Sequence, residues 1–156
     1  MVRKVDPIPR EYHTITPDLI VTGASAAIEF YKKAFGAVEK SRMMGQGGTI
    51  LHAEIQIGDS IVMLADEDPR FGRKSPTTLN GTPAAFHLYV ADVDASFKRA
   101  LDAGARQVMG VENMFWGDRY GVVIDPFGHW WSVATHIEDV PPEEMDKRMK
   151  AMMASR

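Results

Sequence analysis

One predicted strand carries a histidine and a carboxylate two residues apart. His52 and Glu54 alternate with apolar residues over positions 51–57, so both lie on the polar face of that strand. A carboxylate beside an imidazole raises the pKa of the ring and orients it for proton transfer, which makes this pair the candidate catalytic residues. Residues two apart on one strand face are also close for purely geometric reasons, so the pairing has a structural explanation too.

A second group of residues is suited to holding a small organic molecule. Trp130 and Trp131 are adjacent on a predicted strand, so one of the two faces away from the helices, and aromatic side chains commonly wall ligand cavities. Asp118 and Arg119 could contact polar atoms of a ligand, or they could form a solvated hairpin tip. The predicted ligand-binding residues are Asp18, His87, Tyr89, Trp116, Arg119, Tyr120 and Trp130.

The other histidines have simpler explanations. We expect His87 to be partly buried and hydrogen-bonded to a neighbour, and His129 to be solvated in a turn. His13 and His136 lie near the ends of the repeated segments and are assigned no role.

Composition narrows the class of protein. The 156 residues are 45% hydrophobic and 25% charged, as in globular domains, and the net charge of −3 offers no basic surface for nucleic acid. There is no cysteine, which excludes disulfides, thiolate nucleophiles and Cys-zinc sites. We see no signal peptide in residues 1–12 and no apolar run long enough to span a membrane, so a cytoplasmic location is expected.

The helices and strands that position these residues are predicted to occur as a repeated pattern, once in each half of the chain. When residues 19–21 are aligned with residues 88–90, two βαβββ patterns coincide element by element. Each begins with a strand, at 14–21 and 84–90, followed by an amphipathic helix that ends on Gly36-Ala37 or Gly104-Ala105. Asp92 is the predicted N-cap of the second helix. The later strands are predicted at 38–44, 49–57, 60–66, 106–114, 118–125 and 129–136.

These patterns predict the organisation of the whole chain. Two modules, 14–67 and 84–137, form one domain, joined by a linker at 68–83 that is rich in turn-forming residues. An N-terminal extension at 1–13 precedes them, and a Met-rich helix at 138–156 follows. The methionines make one apolar stripe, which is expected to pack on the body of the protein or on a partner subunit.

Several motifs resemble those of the vicinal oxygen chelate superfamily, which includes glyoxalases, bleomycin-resistance proteins and dioxygenases. Residues 18–36 and 90–105 are similar to its first- and second-module signatures, and Asp125-Pro-Phe-Gly-His129 is similar to its closing hairpin. Further motifs, at 52–60, 116–119 and 134–139, narrow the resemblance to the PhnB-like, glyoxalase-related group.

The resemblance implies an α+β fold. Tandem βαβββ modules would form curved, partly closed mixed sheets around a cavity, with the helices outside and a further helix at the C-terminus. It also implies a homodimer, in which modules are sometimes exchanged between chains.

The resemblance also indicates where a metal would bind. Metal-using members carry His or Glu on the first strand of each module and a carboxylate on the last. Those positions correspond here to Thr16, Ala85 and Ser132, and to Met63 on the last strand of the first module. None of these side chains is a useful ligand for a divalent cation, so no cofactor is expected. The alternative is a displaced Zn, Ni, Mn or Fe site built from Asp18, His52, Glu54 and His87.

Three functions follow from these observations and stay open. The first is a metal-independent binding protein that encloses a small organic molecule in the cavity between its modules. The second is a divalent-metal-dependent lyase, isomerase or dioxygenase that uses the displaced site. The third is an interaction or regulatory dimer that catalyses no reaction. Only the Met-rich helix supports this hypothesis. Whether the chain is an enzyme is not decided by its sequence.

Overall fold

The computed structural model describes residues 5–155, so the ends of the predicted N-terminal extension and C-terminal helix, residues 1–4 and 156, lie outside the described residues. The chain divides into two compact units, residues 5–82 with 126–128 and residues 83–125 with 129–155. Each unit contains an open four-stranded mixed sheet, which confirms the predicted α+β class and the repeated βαβββ pattern.

The helices and strands follow the predicted order closely. In the first unit they are β1 (Asp18–Val21), α1 (Ala24–Phe35), β2 (Val38–Met44), β3 (Ile50–Ile57), β4 (Ser60–Asp66) and α2 (Pro76–Leu79). In the second they are β5 (Ala85–Tyr89), α3 (Val93–Asp102), β6 (Arg106–Asn113), β7 (Asp118–Ile124), β8 (Trp130–His136) and α4 (Pro142–Ala154). Across residues 5–155, none of the helices has the length and apolar character needed to cross a membrane.

The first sheet has the strand order β1-β4-β3-β2, with β1 parallel to β4 and the other pairs antiparallel. Its strands alternate between a buried apolar face and a more exposed face, because successive side chains point to opposite sides. Ala53, Ile55 and Ile57 of β3 are buried with the apolar side of α1, whereas His52 and Glu54 lie on the opposite face.

The second sheet repeats this arrangement in the order β5-β8-β7-β6. Helix α3 packs so tightly on β7 that a Cβ on Gly121 would lie 2.7 Å from the ring of Phe97. Trp131 and Val133 of β8 are buried on the same side as α3. The other face carries His87 and Tyr89 of β5, which are both exposed.

In each module, a side chain at the end of the last strand accepts hydrogen bonds from the first turn of the module helix, but the residue type differs between the two modules. Asp66 at the end of β4 accepts hydrogen bonds from the backbone N–H groups of Gly23 and Ala24, both at 2.8 Å. Thr135, which occupies the matching place in β8, accepts one from Val93 N–H at 2.9 Å. Both side chains satisfy backbone donors that lack partners inside a helix. The predicted cap of α3 is confirmed, since Asp92 accepts from Ala95 N–H at 3.0 Å.

Two local expectations were wrong. The first strand begins at Asp18 and not at residue 14, because Pro17 has no N–H to donate to a ladder, although its carbonyl accepts from Met63 N–H at 2.8 Å. His129 is not solvated: it is only 7% exposed and contacts the ring of Phe86. The predicted linker at 68–83 contains a short helix, α2, which Ser75 caps.

Candidate functional site

A cluster of aromatic rings covers one face of the second sheet. His87 on β5 lies 4.5 Å from the ring of Tyr89 and stacks at 5.9 Å on Tyr120 of β7. Tyr120 meets the indole of Trp116 edge to face at 5.5 Å, and Trp116 in turn meets Phe115 at 5.0 Å. Such spacings are favourable for aromatic pairs. We call His87, Tyr89, Trp116 and Tyr120 the aromatic surface.

A buried carboxylate holds part of the aromatic surface in place. Asp118, at the start of β7, is only 3% exposed. Its Oδ2 accepts hydrogen bonds from the hydroxyl of Tyr89 at 3.1 Å and from Nε1 of Trp116 at 3.0 Å. Its Oδ1 lies 2.8 Å from Nδ1 of His136. Asp118 is therefore too buried to contact a ligand directly, and its hydrogen bonds fix the positions of Tyr89 and Trp116.

The charges at this carboxylate are set by the same contacts. Burial by itself would raise the pKa of Asp118, but the hydrogen bonds from His136, Tyr89 and Trp116 outweigh burial and lower it. The pKa of His136 is raised, first by Asp139, whose Oδ1 lies 2.9 Å from Nε2, and then by Asp118. Because both ring nitrogens of His136 face carboxylate oxygens, the protonated ring satisfies both contacts as a donor.

The hairpin between β6 and β7 positions Trp116 beside Asp118. Gly117 has a φ of 99°, a conformation that side chains other than glycine rarely adopt. A Cβ at Gly117 would also lie 2.0 Å from the carbonyl oxygen of Glu138. The carbonyl of Gly117 accepts from the N–H groups of Ile137 and Glu138, at 2.9 and 3.0 Å. The hairpin and the segment leading to α4 are thus held together at this glycine.

His87 is anchored from beneath by Ser132. The hydroxyl of Ser132 lies 2.7 Å from Nδ1 of His87, within hydrogen-bond distance, and 3.4 Å from the carbonyl oxygen of Phe86. The ring of His87 is hydrogen-bonded, as expected, but it is exposed and not partly buried. Trp130 lies two residues from Ser132 on the same face and is 38% exposed.

Arg119, a predicted ligand-binding residue, lies away from the aromatic surface. It alternates with Asp118 and Tyr120 along β7, so its side chain points to the helix side of the sheet. Its guanidinium makes a bidentate ion pair with Asp94 in the first turn of α3, with both contacts at 2.7 Å, and donates to Asn113 at 3.0 Å. These contacts tie β7 to the first turn of α3 and to the end of β6.

In the first unit, the predicted His52–Glu54 pair is joined by a residue that the sequence did not suggest. Nε2 of His52 lies 3.2 Å from Oε1 of Glu54, and the hydroxyl of Tyr12 donates to Oε2 at 2.6 Å. These contacts lower the pKa of Glu54, the Tyr12 hydrogen bond most, so the carboxylate is ionised at neutral pH. No local pattern links Tyr12 to a strand 42 residues away.

Asp18 is placed on the same face of the first sheet. It pairs in register with Met63 of β4, and Oδ2 accepts from Nη2 of Arg73 at 3.1 Å. Glu54 is the register partner of Met63 on the other side. Met63 is therefore flanked by a carboxylate on each neighbouring strand.

Comparison with known proteins identifies the family. A sequence model of the glyoxalase/bleomycin resistance protein/dioxygenase superfamily matches residues 12–133. The chain belongs to this superfamily. The uncharacterized protein Mb0911c of Mycobacterium bovis is 49% identical over 140 residues, which cover 88% of this chain and 92% of that protein.

Solved structures of other proteins share the fold of this chain. The Arabidopsis thaliana At5g48480 gene product matches with a TM-score of 0.65 and 29% identity, over 79% of this chain and 98% of that one. The PhnB protein of Bacillus cereus matches with a TM-score of 0.62 and 18% identity, over 79% and 99% of the two chains. These matches show that the fold is shared, and the family model confirms the superfamily that the sequence motifs indicated.

The positions that hold a metal in metal-using members of the superfamily do not fit one here. The hydroxyl of Thr16 donates a hydrogen bond to the carbonyl of His13 at 3.3 Å. The hydroxyl of Ser132 is in hydrogen-bond contact with the carbonyl of Phe86 and the ring of His87. Ala85 has no donor atom, and Met63 offers only a thioether, a poor ligand for a hard cation. Within residues 5–155, no three His, Asp or Glu side chains stand close enough together to hold a metal ion.

Proposed function

We propose that this superfamily member binds a flat small organic molecule on the aromatic surface of its second unit, and that it does so without a metal. The observation that carries the proposal is the combination of exposure and anchoring. Tyr89 is 62% exposed, yet its hydroxyl is tied to the buried Asp118. Exposed aromatic rings that are held in place by buried polar groups are typical of a binding surface and not of a core.

Anchoring lowers the cost of binding. A ligand that stacks on mobile side chains must immobilise them, at about 0.5–1.5 kcal/mol for each. Here Trp116, Tyr89 and His87 are each fixed by a hydrogen bond to Asp118 or Ser132. The aromatic faces are therefore available to a flat ligand without further loss of side-chain freedom.

The donor chemistry supports independence from metal. The hydroxyls of Thr16 and Ser132 are engaged in hydrogen bonds, and the side chain of Ala85 has no donor atom for a metal. The aromatic surface itself offers stacking faces and the free edge of His87, which recognise organic ligands directly. Enclosure of the ligand between the two modules, homodimer formation and a cytoplasmic location stay predictions.

The test compares a flat probe with a saturated probe of the same skeleton. 2-Naphthol and decahydro-2-naphthol are added to the purified protein at equal concentrations, and the melting temperature is followed by circular dichroism. A ligand that binds only the native state raises the melting temperature, so 2-naphthol is expected to raise it and decahydro-2-naphthol to leave it within error. Equal shifts for the two probes would contradict a stacking site.

Two variants locate the binding. Trp116→Ala removes the largest ring of the aromatic surface and is expected to abolish the 2-naphthol shift. Phe71→Ala removes an aromatic ring in the first unit that is 77% exposed, and it is expected to leave the shift unchanged. Loss of the shift in Phe71→Ala, or its persistence in Trp116→Ala, would place the site elsewhere.

The alternative is a divalent-metal-dependent lyase, isomerase or dioxygenase that uses His52 and Glu54. The observation in its favour is the 3.2 Å contact between the two side chains. Metal-free protein equilibrated with Zn, Ni, Mn or Fe(II) and then dialysed decides between the two functions by elemental analysis. Near-stoichiometric retention that disappears in Glu54→Ala supports the alternative, whereas no retention supports the metal-independent function.

A further inference from the structure

We infer that the C-terminal part of the second unit adds a subsite for a cationic group to the aromatic surface, so that the ligand class is a flat ring with a short ammonium-bearing side chain. The inference rests on the function proposed above, because Trp116 belongs to both the aromatic surface and the subsite. The subsite is a cavity of about 360 Å³. The residues that line it are Trp116, His136, Asp139, Val140, Pro141 and Met145.

The subsite is built mainly from a part of the chain that the repeated modules do not include. The sequence model of the superfamily matches residues 12–133, whereas five of the six lining residues lie at 136–145. They belong to the last residue of β8, the segment after it and the first turns of α4. The subsite is therefore specific to the C-terminal segment of this chain.

The two sides of the subsite are held in place by hydrogen bonds. The carbonyl of Gly117, next to Trp116, accepts from the N–H groups of Ile137 and Glu138 at 2.9 and 3.0 Å. Nη1 and Nη2 of Arg148 on α4 each donate to the carboxylate of Glu138 at 2.8 Å. Walls that are fixed before binding lower the cost of ordering side chains around a ligand.

Most of the lining is apolar or aromatic. Val140, Pro141 and Met145 line the same cavity as the indole of Trp116. The indole Nε1 already donates to Asp118 at 3.0 Å, so the group that Trp116 offers to a ligand is its π-system. An ammonium group close to an indole face is attracted by the negative side of the ring quadrupole.

The polar end of the subsite carries a net negative charge. Oδ1 of Asp139 lies 2.9 Å from Nε2 of His136, and Nδ1 of the same ring lies 2.8 Å from Oδ1 of Asp118. Even the protonated imidazole offsets only one of these two carboxylates. Asp118 is buried, but the side chain of Asp139 is fully exposed, so its second oxygen is open to a ligand. Asp139 is therefore the carboxylate that an ammonium group can reach.

The neighbouring ion pairs leave this negative charge in place. Arg148 lies 2.8 Å from Glu138 and 2.9 Å from Glu144. Lys147 lies 3.9 Å from the carboxylate of Glu144. Two cations and two carboxylates balance each other in this group. A cationic ligand group at Asp139 is thus attracted by the carboxylate, whereas an anionic group at the same place is repelled.

The experiment uses three probes that share a naphthalene ring and a short arm but differ in charge: 2-naphthylethylamine, 2-naphthylethanol and 2-naphthylacetate. Their Kd values for the full chain are measured by titration calorimetry at neutral pH. 2-Naphthylethylamine is expected to bind with a Kd about fivefold lower than that of 2-naphthylethanol, since an exposed ion pair and a cation–π contact together gain about that much. 2-Naphthylacetate is expected to bind most weakly.

Two variants that remove the same charge locate the subsite. Asp139→Asn is expected to bring the Kd of 2-naphthylethylamine to that of 2-naphthylethanol and to leave the Kd of 2-naphthylethanol unchanged. Asp146→Asn is the matched control, because Asp146 is an exposed aspartate of α4 whose partner is Lys150, and its variant is expected to keep the preference for the amine. Loss of that preference in both variants overturns the assignment to Asp139.

The unaltered protein separates this inference from the function on which it rests. Equal Kd values for 2-naphthylethylamine and 2-naphthylethanol, with both weakened by Trp116→Ala, overturn the inference and leave the proposed function standing. No binding of any of the three probes overturns both. The ranking of the three probes decides the matter even if Asp139→Asn does not fold.

Discussion

Asp118 and His136 face each other across β7 and β8 as register partners, with 2.8 Å between Oδ1 and Nδ1. The carboxylate is buried, whereas the imidazole is half-exposed and also contacts Asp139. This pair stabilises the aromatic surface, because the other carboxylate oxygen of Asp118 accepts hydrogen bonds from Tyr89 and Trp116. Its electrostatics therefore influence both the stability of the unit and the shape of the aromatic surface.

Asp118→Asn should destabilise the second unit and loosen the aromatic surface together. The amide offers only one acceptor oxygen, so at least one of the three donors is left without its partner in a buried place. We expect a loss of about 2–4 kcal/mol in the free energy of unfolding, measured in urea.

The matched control is Asp102→Asn, because Asp102 is an exposed aspartate in α3 whose partner is Lys98. Its variant should change the free energy of unfolding by no more than about 0.5 kcal/mol. Wild-type stability in Asp118→Asn would mean that the three contacts contribute nothing to folding.

The same pair predicts how stability depends on pH. The pKa of His136 is raised above its ordinary value of 6.5, so its contribution is complete below that value and is lost as the pH rises through the folded-state pKa. The pKa of Asp118 is lowered below 3.8, so its contribution is complete above that value and is lost as the pH falls through the folded-state pKa. Between about 3.8 and 6.5 both contributions are present.

His136→Gln tests the upper limb of this profile. Glutamine keeps a hydrogen-bond donor but carries no charge, so the variant should be less stable than the wild type at pH 5.5. As the pH rises from 5.5 towards 9, the histidine loses its proton in a growing fraction of the molecules, and the difference between the two urea midpoints should shrink. Glu143→Gln, in the first turn of α4, serves as the control with no contact to His136 and should show the same small difference at both values. A gap that widens with rising pH contradicts the assignment.

Asp66→Ala should weaken the start of α1. The carboxylate accepts from Gly23 N–H and Ala24 N–H and also from Ile50 N–H, at 2.8 Å each, and Gly23 has no side chain to replace it. Loss of a helix cap costs about 0.5–2 kcal/mol, and the bond to β3 adds to that figure. Hydrogen exchange at Ala24 and Ile50 should accelerate first. Asp59→Ala, at the exposed β3–β4 turn, is the control that should leave both amides unchanged.

The sequence predicted the strands of both sheets well, because their alternating apolar and polar residues reflect one buried face. Strand β3 and the capping of α3 by Asp92 are examples in which local chemistry decides the outcome. Helix α2 was missed although a signal was present, since Ser75-Pro76 is a cap followed by a proline at the first helical position. Strict alternation along β7 would also have separated Arg119 from Tyr120.

The candidate sites were predictable only in part, for a physical reason. His87, Tyr89, Trp116 and Tyr120 were all proposed from their types, but the hydrogen bond from Tyr89 to Asp118 joins residues that are 29 positions apart. The same is true of Tyr12, whose partner Glu54 belongs to a different segment of the chain. Pairing distances of this kind depend on strand register, which residue types alone do not determine.

The geometry at Gly117 has a practical consequence for anyone who wishes to redesign this surface. Residue 117 accepts no side chain at all, so a mutagenesis library that includes it yields mostly misfolded members. Trp116 and Tyr120 lie close by on the same surface, and their rings reach solvent without filling the core. A library restricted to these two positions, with Gly117 and Asp118 held constant, varies the aromatic surface on an unchanged scaffold.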